Sequence, residues 1–317
     1  MAAPTKIDPE VAAALAQTPI GSMDFGTLTY ADLPAMREQM SALPRPPAPP
    51  TKTRYEDHVV PGPDGDPDIT LRMYRAPGTT GPAPALYWIH GGGYIFGSAL
   101  DPDVRLSRWA EQLGCVVVSV EYRLAPEHPY PAPLEDCYAG LRWTYGQAAT
   151  LGIDPQHIAI GGASAGGGLA AGLALLARDR GEVPIAFQLL IYPMIDDRNA
   201  TGSSHLDALV WSRGANDLGW RAYLGCLAGG DIPPYAAAAR ATDLAGLPPA
   251  QITVGTCDVF RDEDIEYAAR LLAAGVPTEL HVYPGAPHGF EMLAPDAGVS
   301  QRCRRDIDEA LARALRG

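Results

Sequence analysis

Short apolar runs alternate with helical patterns along most of this chain, and that alternation limits the folds it can adopt. Strands are predicted near 55–60, 69–75, 85–90, 116–121, 158–161, 186–191, 251–256 and 279–284. Several of them are continuous apolar stretches, as in Cys-Val-Val-Val-Ser-Val at 115–120, which is typical of strands covered on both faces. Helical patterns lie near 103–113, 134–148, 165–179, 262–274 and 299–315. This order predicts an α/β fold in which helices flank a mostly parallel, eight-stranded sheet.

The N-terminal segment, residues 1–45, precedes this alternation. Asp8, followed by a proline, predicts the start of a helix that continues through residue 17, and Asp32 predicts the cap of a second helix that ends near residue 43. The proline-rich stretch 44–50 cannot continue a helix, so we predict an extended connector there.

The alternation also fails between about 197 and 250. Helical patterns near 205–212 and 217–228 follow each other there without an intervening strand. We therefore predict one α/β domain over residues 46–317, with an insertion at about 197–235.

Composition excludes several classes of protein. With 317 residues, 47% of them hydrophobic, the chain can bury a large core, and its 34 glycines and 31 prolines indicate many turns. A net charge of −13 makes nucleic acid a poor partner.

The five cysteines are scattered and form no metal-binding pattern, so we expect reduced thiols in a cytoplasmic protein. No apolar run approaches the roughly 18 residues of a membrane span, and the first residues do not resemble a signal peptide.

A candidate nucleophile lies in the segment Gly162-Ala-Ser164-Ala-Gly166. This segment joins a predicted strand at 158–160 to the helical pattern that begins at Ala165. A serine on a tight turn between a strand and a helix needs small neighbours, because its backbone is strained and the chain passes close to the strand. The alternative is a glycine-rich turn with an incidental serine.

A second glycine-rich segment, His90-Gly-Gly-Gly-Tyr94, follows the predicted strand Ala85-Leu-Tyr-Trp-Ile89. Consecutive glycines let backbone N–H groups face an anion, such as the oxyanion of a tetrahedral acyl intermediate. A flexible turn or a phosphate loop are the alternatives. No Lys-Ser/Thr follows the glycines, and their spacing differs from that of dinucleotide-binding loops, which argues against both kinds of nucleotide site.

A nucleophilic serine also needs a general base and an acid that orients this base. His288, between Pro287 and Gly289, follows the last predicted strand, where it could reach across the edge of the sheet. Asp258 comes directly after the strand at 251–256, whereas Asp262 suits the first turn of the next helix. We therefore favour Asp258 as the acid, with Asp262 as its competitor. The order serine, aspartate, histidine is that of the α/β-hydrolases.

Seven short stretches together resemble the hormone-sensitive-lipase-like group of esterases, bacterial family IV. They are His90–Tyr94, Tyr122–Glu127, Glu135-Asp136, Gly162–Gly166, Tyr192-Pro193, Asp258–Glu263 and His288–Phe290. Each motif is modest, but their order and spacing are specific. Two departures are Ala163, where many relatives carry Asp or Thr, and Val259-Phe260, where Pro-Leu is common. Both departures make the subfamily assignment less definite, and neither position contributes a catalytic atom.

The resemblance implies an α/β-hydrolase fold and a serine carboxylesterase that acts on short- to medium-chain acyl esters. It implies Ser164 as nucleophile, His288 as base and Asp258 as acid, without a metal or an organic cofactor. It also implies an oxyanion hole formed by the N–H groups of Gly92, Gly93 and Ala165. A lactone hydrolase or an amidase with the same triad remains an alternative. A small-molecule receptor of the same fold is disfavoured, because the receptor relative lacks the catalytic histidine.

The resemblance further implies a helical cap made of residues 1–45 and the insertion 197–235. Apolar residues of these segments could line an acyl pocket or simply pack between cap and core. We expect five side chains at the substrate: Met23, Phe25, Tyr94, Leu209 and Trp211. His90 is expected to hold the glycine loop. The family often dimerises through the last strand of the sheet, so a homodimer through 279–284 is expected.

Overall fold

The computed structural model describes residues 6–42, 51–79, 81–100 and 104–316, and among them eight strands form one sheet. The strands are β1 (Arg54–Val60), β2 (Ile69–Arg75), β3 (Ala83–Ile89), β4 (Val116–Glu121), β5 (Ile153–Ala163), β6 (Phe187–Ile191), β7 (Ala250–Gly255) and β8 (Thr278–Tyr283). Their order is β1-β2-β4-β3-β5-β6-β7-β8, and only pairs that involve β2 are antiparallel. The predicted eight-stranded, mostly parallel sheet is confirmed.

Helices cover both faces of this sheet. In the described residues they are α1 (Pro9–Leu15), α2 (Leu33–Ser41), α3 (Val104–Leu113), α4 (Ala132–Gly146), α5 (Ala148–Leu151), α6 (Ala165–Arg180), α7 (Arg213–Leu224), α8 (Arg261–Ala273), α9 (Phe290–Leu293) and α10 (Gly298–Arg316). Successive residues of the central strand β3 point to opposite faces. Trp88 belongs to the apolar cluster that contains residues of α3 and α10, whereas Tyr87 belongs to the cluster that contains residues of α4, α6 and α8. Both faces are therefore apolar, as the uninterrupted apolar runs predict.

The parallel strands bring four loops to one edge of the sheet. The glycine loop follows β3, Ser164 follows β5, Asp258 lies three residues after β7 and His288 five residues after β8. Because the carboxyl ends of parallel strands lie at the same edge, these loops meet although they are far apart in the chain.

The N-terminal helices form near the predicted positions. The carboxylate of Asp8 accepts hydrogen bonds from the N–H groups of Glu10 and Val11 and so caps α1. Asp32 lies at the N-cap position of α2, as predicted, but its side chain makes no capping hydrogen bond to the helix. Its backbone is already helical, and its carboxylate folds back to accept the N–H and hydroxyl of Thr29 at 2.8 and 2.7 Å. The predicted connector at 44–50 lies outside the described residues.

The insertion contains one long helix instead of two. α7 matches the second helical pattern, but the pattern near 205–212 yields only a single 3-10 turn, Ser203–His205. The helix prediction there is wrong because Val210 has φ of +71° and Ser212 is extended, and both conformations interrupt a helix.

Two other expectations concern the cysteines and membrane-spanning helices. Four of the five cysteines, Cys115, Cys137, Cys257 and Cys303, are buried, and Cys226 is exposed. Within the part of the chain that the structure describes, every helix is too short or too polar to cross a membrane.

Candidate active site

Ser164 sits on a strained turn between β5 and α6. Its φ of +58° and ψ of −124° are rare for a residue with a side chain, and such strain is typical of functional turns. Two glycines make the turn feasible. A Cβ on Gly162 would come within 2.2 Å of the Gly166 carbonyl oxygen, and one on Gly166 would come within 2.1 Å of the Ile89 carbonyl oxygen. The small neighbours noted in the sequence are thus a steric requirement.

His288 lies between the serine and the aspartate. Its Nε2 is 2.9 Å from Oγ of Ser164, and its Nδ1 is 2.8 Å from Oδ2 of Asp258. Ser164 is 8% exposed, His288 6% and Asp258 0%, so water is largely excluded from this chain of groups. A proton on Nδ1 donates to the carboxylate, which leaves the Nε2 lone pair to accept the serine hydroxyl.

The structure separates the two candidate acids. Besides His288, the carboxylate of Asp258 accepts the N–H of Phe260 at 3.1 Å. Asp262 instead lies on α8, where it accepts the N–H of Ser203 at 2.7 Å and pairs with Arg261. Asp262 therefore anchors the start of the insertion, and Asp258 is the acid that contacts the histidine.

The glycine loop packs directly against the serine turn. A Cβ on Gly91 would lie 2.6 Å from the Ala163 carbonyl oxygen and 3.4 Å from the Ser164 Cβ, so only glycine allows this approach. Gly92 and Gly93 have φ of +120° and +60°. Within the described chain, neither of their N–H groups donates a hydrogen bond.

The third predicted donor is the N–H of Ala165. It is the first residue of α6, where a backbone N–H has no acceptor within its helix. The positive end of the α6 dipole adds to the attraction for negative charge. The structure thus places three N–H donors, from Gly92, Gly93 and Ala165, on the two segments that flank Ser164.

A model of the α/β hydrolase fold family matches residues 86–292, which contain all of these groups. This chain belongs to the α/β-hydrolase family. The carboxylesterase NlhH of Mycobacterium tuberculosis is 40% identical over 273 residues, 84% of this chain and 85% of that protein. The esterase LipI of the same species is 40% identical over 262 residues, 81% of this chain and 80% of that protein.

Solved structures agree with these relatives. The structure of a bacterial heroin esterase has a TM-score of 0.90 and 45% identity, covering 98% of this chain and 99% of that one. The resemblance to the hormone-sensitive-lipase-like group is therefore confirmed, as are the fold and the class of carboxylic ester hydrolase.

His90 of this hydrolase supports the glycine loop. Its ring stacks on Tyr122 with centroids 4.2 Å apart, and its Nδ1 lies 2.8 Å from the Gly91 carbonyl oxygen. The Tyr122 hydroxyl donates to the His90 carbonyl oxygen at 2.9 Å. These contacts agree with a supporting role for His90.

The predicted pocket residues occupy different places. Trp211 covers the glycine loop, since a Cβ on Gly93 would lie 2.2 Å from its ring, and Phe25 packs on Trp211 with centroids 6.3 Å apart. Met23 is partly buried and Leu209 is 38% exposed. Tyr94 is fully buried, and its hydroxyl donates to the Met194 carbonyl oxygen. Tyr94 therefore presents no exposed surface to a substrate in this structure.

Two aromatic residues that sequence reasoning did not assign to the site hold the His288 ring. Tyr192 and Phe260 contact it edge-on, with centroids at 4.5 and 5.2 Å. The Tyr192 hydroxyl donates to the buried carboxylate of Glu291 at 2.7 Å. Both residues lie in motifs noted in the sequence, Tyr192 in Tyr192-Pro193 and Phe260 in Asp258–Glu263. Neither motif indicated contact with His288.

Proposed function

We propose that this hydrolase cleaves short- to medium-chain carboxylic esters through an acyl-enzyme on Ser164. The observation that carries the proposal is the unbroken series of hydrogen-bonded groups from Ser164 through His288 to Asp258. The activities named for its relatives, carboxylesterase and esterase, support the same reaction.

The reaction begins when His288 Nε2 takes the hydroxyl proton as Ser164 Oγ attacks the ester carbonyl carbon. The buried carboxylate of Asp258 stabilises the resulting imidazolium and holds its tautomer. The carbonyl oxygen becomes an oxyanion, which the N–H groups of Gly92, Gly93 and Ala165 would stabilise. Loss of one such donor typically costs about 10²- to 10³-fold in kcat.

The intermediate then collapses. The carbon–oxygen bond to the alcohol breaks, and the alcohol leaves with the proton from His288 Nε2. Water attacks the acyl carbon as the same nitrogen takes its proton. The bond from the acyl carbon to Ser164 Oγ then breaks, Nε2 returns the proton to Oγ, and the carboxylic acid leaves.

Substrate size is limited by the surroundings of Ser164. The nucleophile and base are each less than 9% exposed, and the Trp211 indole lies against Gly93. This enclosure supports short- to medium-chain acyl groups as substrates. The test is a chain-length series of p-nitrophenyl esters measured beside lactones and anilides. Faster turnover of lactones or anilides than of any ester would favour the alternative lactone hydrolase or amidase.

The cap is part of the same proposal, with residues 1–45 and 197–235 covering the site. Phe25 of the first segment packs on Trp211 of the second. A Cβ on Gly26 would lie 2.7 Å from the Ser212 hydroxyl, so the two segments are in close contact.

We also propose a cytoplasmic protein and a homodimer through β8. Support for the dimer comes from the sheet order, in which β8 is an edge strand with one unpaired side. Sedimentation equilibrium tests it: the mass of two chains is expected, and the mass of one chain at micromolar concentration contradicts it.

A further inference from the structure

Arg37 of α2 crosses from the N-terminal segment to the α/β domain, and its guanidinium contacts three groups there. Nε donates to the Ile95 carbonyl oxygen and Nη2 to the Ala125 carbonyl oxygen, each at 2.8 Å. Nη1 and Nη2 also donate to the two carboxylate oxygens of Glu127, at 2.8 and 2.9 Å. One side chain thus makes four hydrogen bonds across this boundary.

The two carbonyl groups belong to the glycine loop and to the segment that supports it. The N–H groups of Ile95 and Phe96 both donate to the Gly92 carbonyl oxygen, at 3.0 and 2.8 Å. The N–H of Ala125 donates to the Tyr94 carbonyl oxygen at 3.0 Å. Arg37 therefore links the glycine loop, whose turn begins at Gly92, to the segment that follows β4.

The two residues whose carbonyl groups accept these hydrogen bonds are buried. Ile95 is 1% exposed and Ala125 is fully buried. A buried carbonyl group that loses its donor keeps its desolvation penalty without compensation, so the loop is expected to rearrange when Arg37 is removed. The hydrogen bonds from Arg37 also hold the pKa of Glu127 below its usual range, so the pair stays ionised at neutral pH.

The contact pattern needs an arginine. A guanidinium presents its donors in a rigid plane, and here Nε, Nη1 and Nη2 are all used. An ammonium group carries the same charge at a single point and cannot reach both carbonyl groups and the carboxylate in this geometry.

We propose that Arg37 is a positioning residue that holds the glycine loop in the geometry required to stabilise the oxyanion. The inference rests on the proposed function, because it assumes that the Gly92 and Gly93 N–H groups face the oxyanion. Arg37 thereby gives the N-terminal segment a role in the chemical step, in addition to its proposed role in covering the site.

The test compares Arg37→Met and Arg37→Lys with wild type on p-nitrophenyl acetate. Binding of an alkyl trifluoromethyl ketone, whose adduct with a serine carries an oxyanion, is measured beside the matching methyl ketone. For Arg37→Met we expect kcat to fall about 10- to 100-fold with little change in KM. Trifluoromethyl ketone affinity should fall by a similar factor, and methyl ketone affinity should not. Arg37→Lys should show the same pattern at smaller amplitude.

Arg108→Met is the matched control, because Arg108 pairs with Asp308 between α3 and α10 and has similar side-chain exposure, 29% against 26% for Arg37. This control should retain the wild-type kcat. Wild-type kcat in Arg37→Met, or an equal fall in Arg108→Met, overturns the inference. If Arg37→Met fails to fold, Arg37→Lys is judged by the same criteria. Failure of the proposed function is distinct, because wild type itself would then turn over no ester.

Discussion

Nε2 of His288 lies 2.9 Å from Oγ of Ser164, although 124 residues separate them in the chain. The loops after two parallel strands produce this contact, and the carboxylate of Asp258 on a third loop completes it.

Asp258→Asn should lower kcat on the order of 10⁴-fold, because an amide can no longer hold the histidine in the tautomer that accepts the serine proton. Asp262→Asn is the matched control, since Asp262 contacts Ser203 and Arg261 instead of His288. That variant should keep a kcat close to wild type and lose some thermal stability. Equal losses of kcat in the two variants would show that the structure misassigns the acid.

Trp211→Phe should shift the hydrolase towards longer acyl chains, because it withdraws the ring that lies against Gly93. We expect the ratio of kcat/KM for octanoate over acetate esters to rise about tenfold. Trp220→Phe is the control, since Trp220 is equally buried but packs on Tyr94 and Tyr223. An unchanged ratio in the Trp211 variant would remove this residue from the pocket.

Asp264→Asn should stabilise the protein more at pH 8 than at pH 5. Burial, together with the nearby carboxyls of Glu263 and Asp258, raises the pKa of Asp264 well above its usual value. Neither of its carboxyl oxygens has a hydrogen-bond partner among the described residues. A raised folded-state pKa means that the unfolded chain releases this proton first, so the contribution of Asp264 to wild-type stability falls as pH rises above about 4.

The asparagine variant lacks that titration, so its advantage in urea midpoint should grow with pH. Glu266→Gln, an exposed position on the same helix, is the control and should show no such trend. An advantage that stays constant or shrinks between pH 5 and pH 8 contradicts this account of Asp264.

Removal of residues 1–45 should cripple ester turnover or solubility. The deletion uncovers Trp211 and Phe96, against which Phe25 packs, and it removes Arg37 from the glycine loop. Soluble yield and p-nitrophenyl ester turnover are measured beside the intact chain. An unchanged rate profile would show that the segment is dispensable.

The sheet and the contacting triad could be predicted because both leave local patterns. Continuous apolar strands predict a sheet covered on both faces, and Ser164, Asp258 and His288 each follow a strand in a loop of small or polar residues. The sequence favoured Asp258 over Asp262 because Asp258 comes directly after the predicted strand at 251–256, and the structure adds that Asp258, and not Asp262, contacts His288.

Other features depend on contacts that leave no local pattern. Arg37 and Ile95 are 58 residues apart, and nothing near either residue indicates the hydrogen bond between them. The failed helix near 205–212 depends on the positive φ of Val210, a conformation that β-branched residues rarely adopt. Tyr94 was predicted at the substrate, but its side chain is fully buried and its hydroxyl donates to the Met194 carbonyl oxygen.

The central claim is that Ser164 is the nucleophile, and turnover of p-nitrophenyl butyrate by purified Ser164→Ala tests it most directly. We expect kcat to fall by about 10⁴-fold or more, with a circular dichroism spectrum and melting temperature close to wild type. A serine-directed phosphonate should label wild type once per chain, on the peptide that contains Ser164, and should leave the variant unlabelled. Near-normal turnover by a folded Ser164→Ala variant would contradict the account.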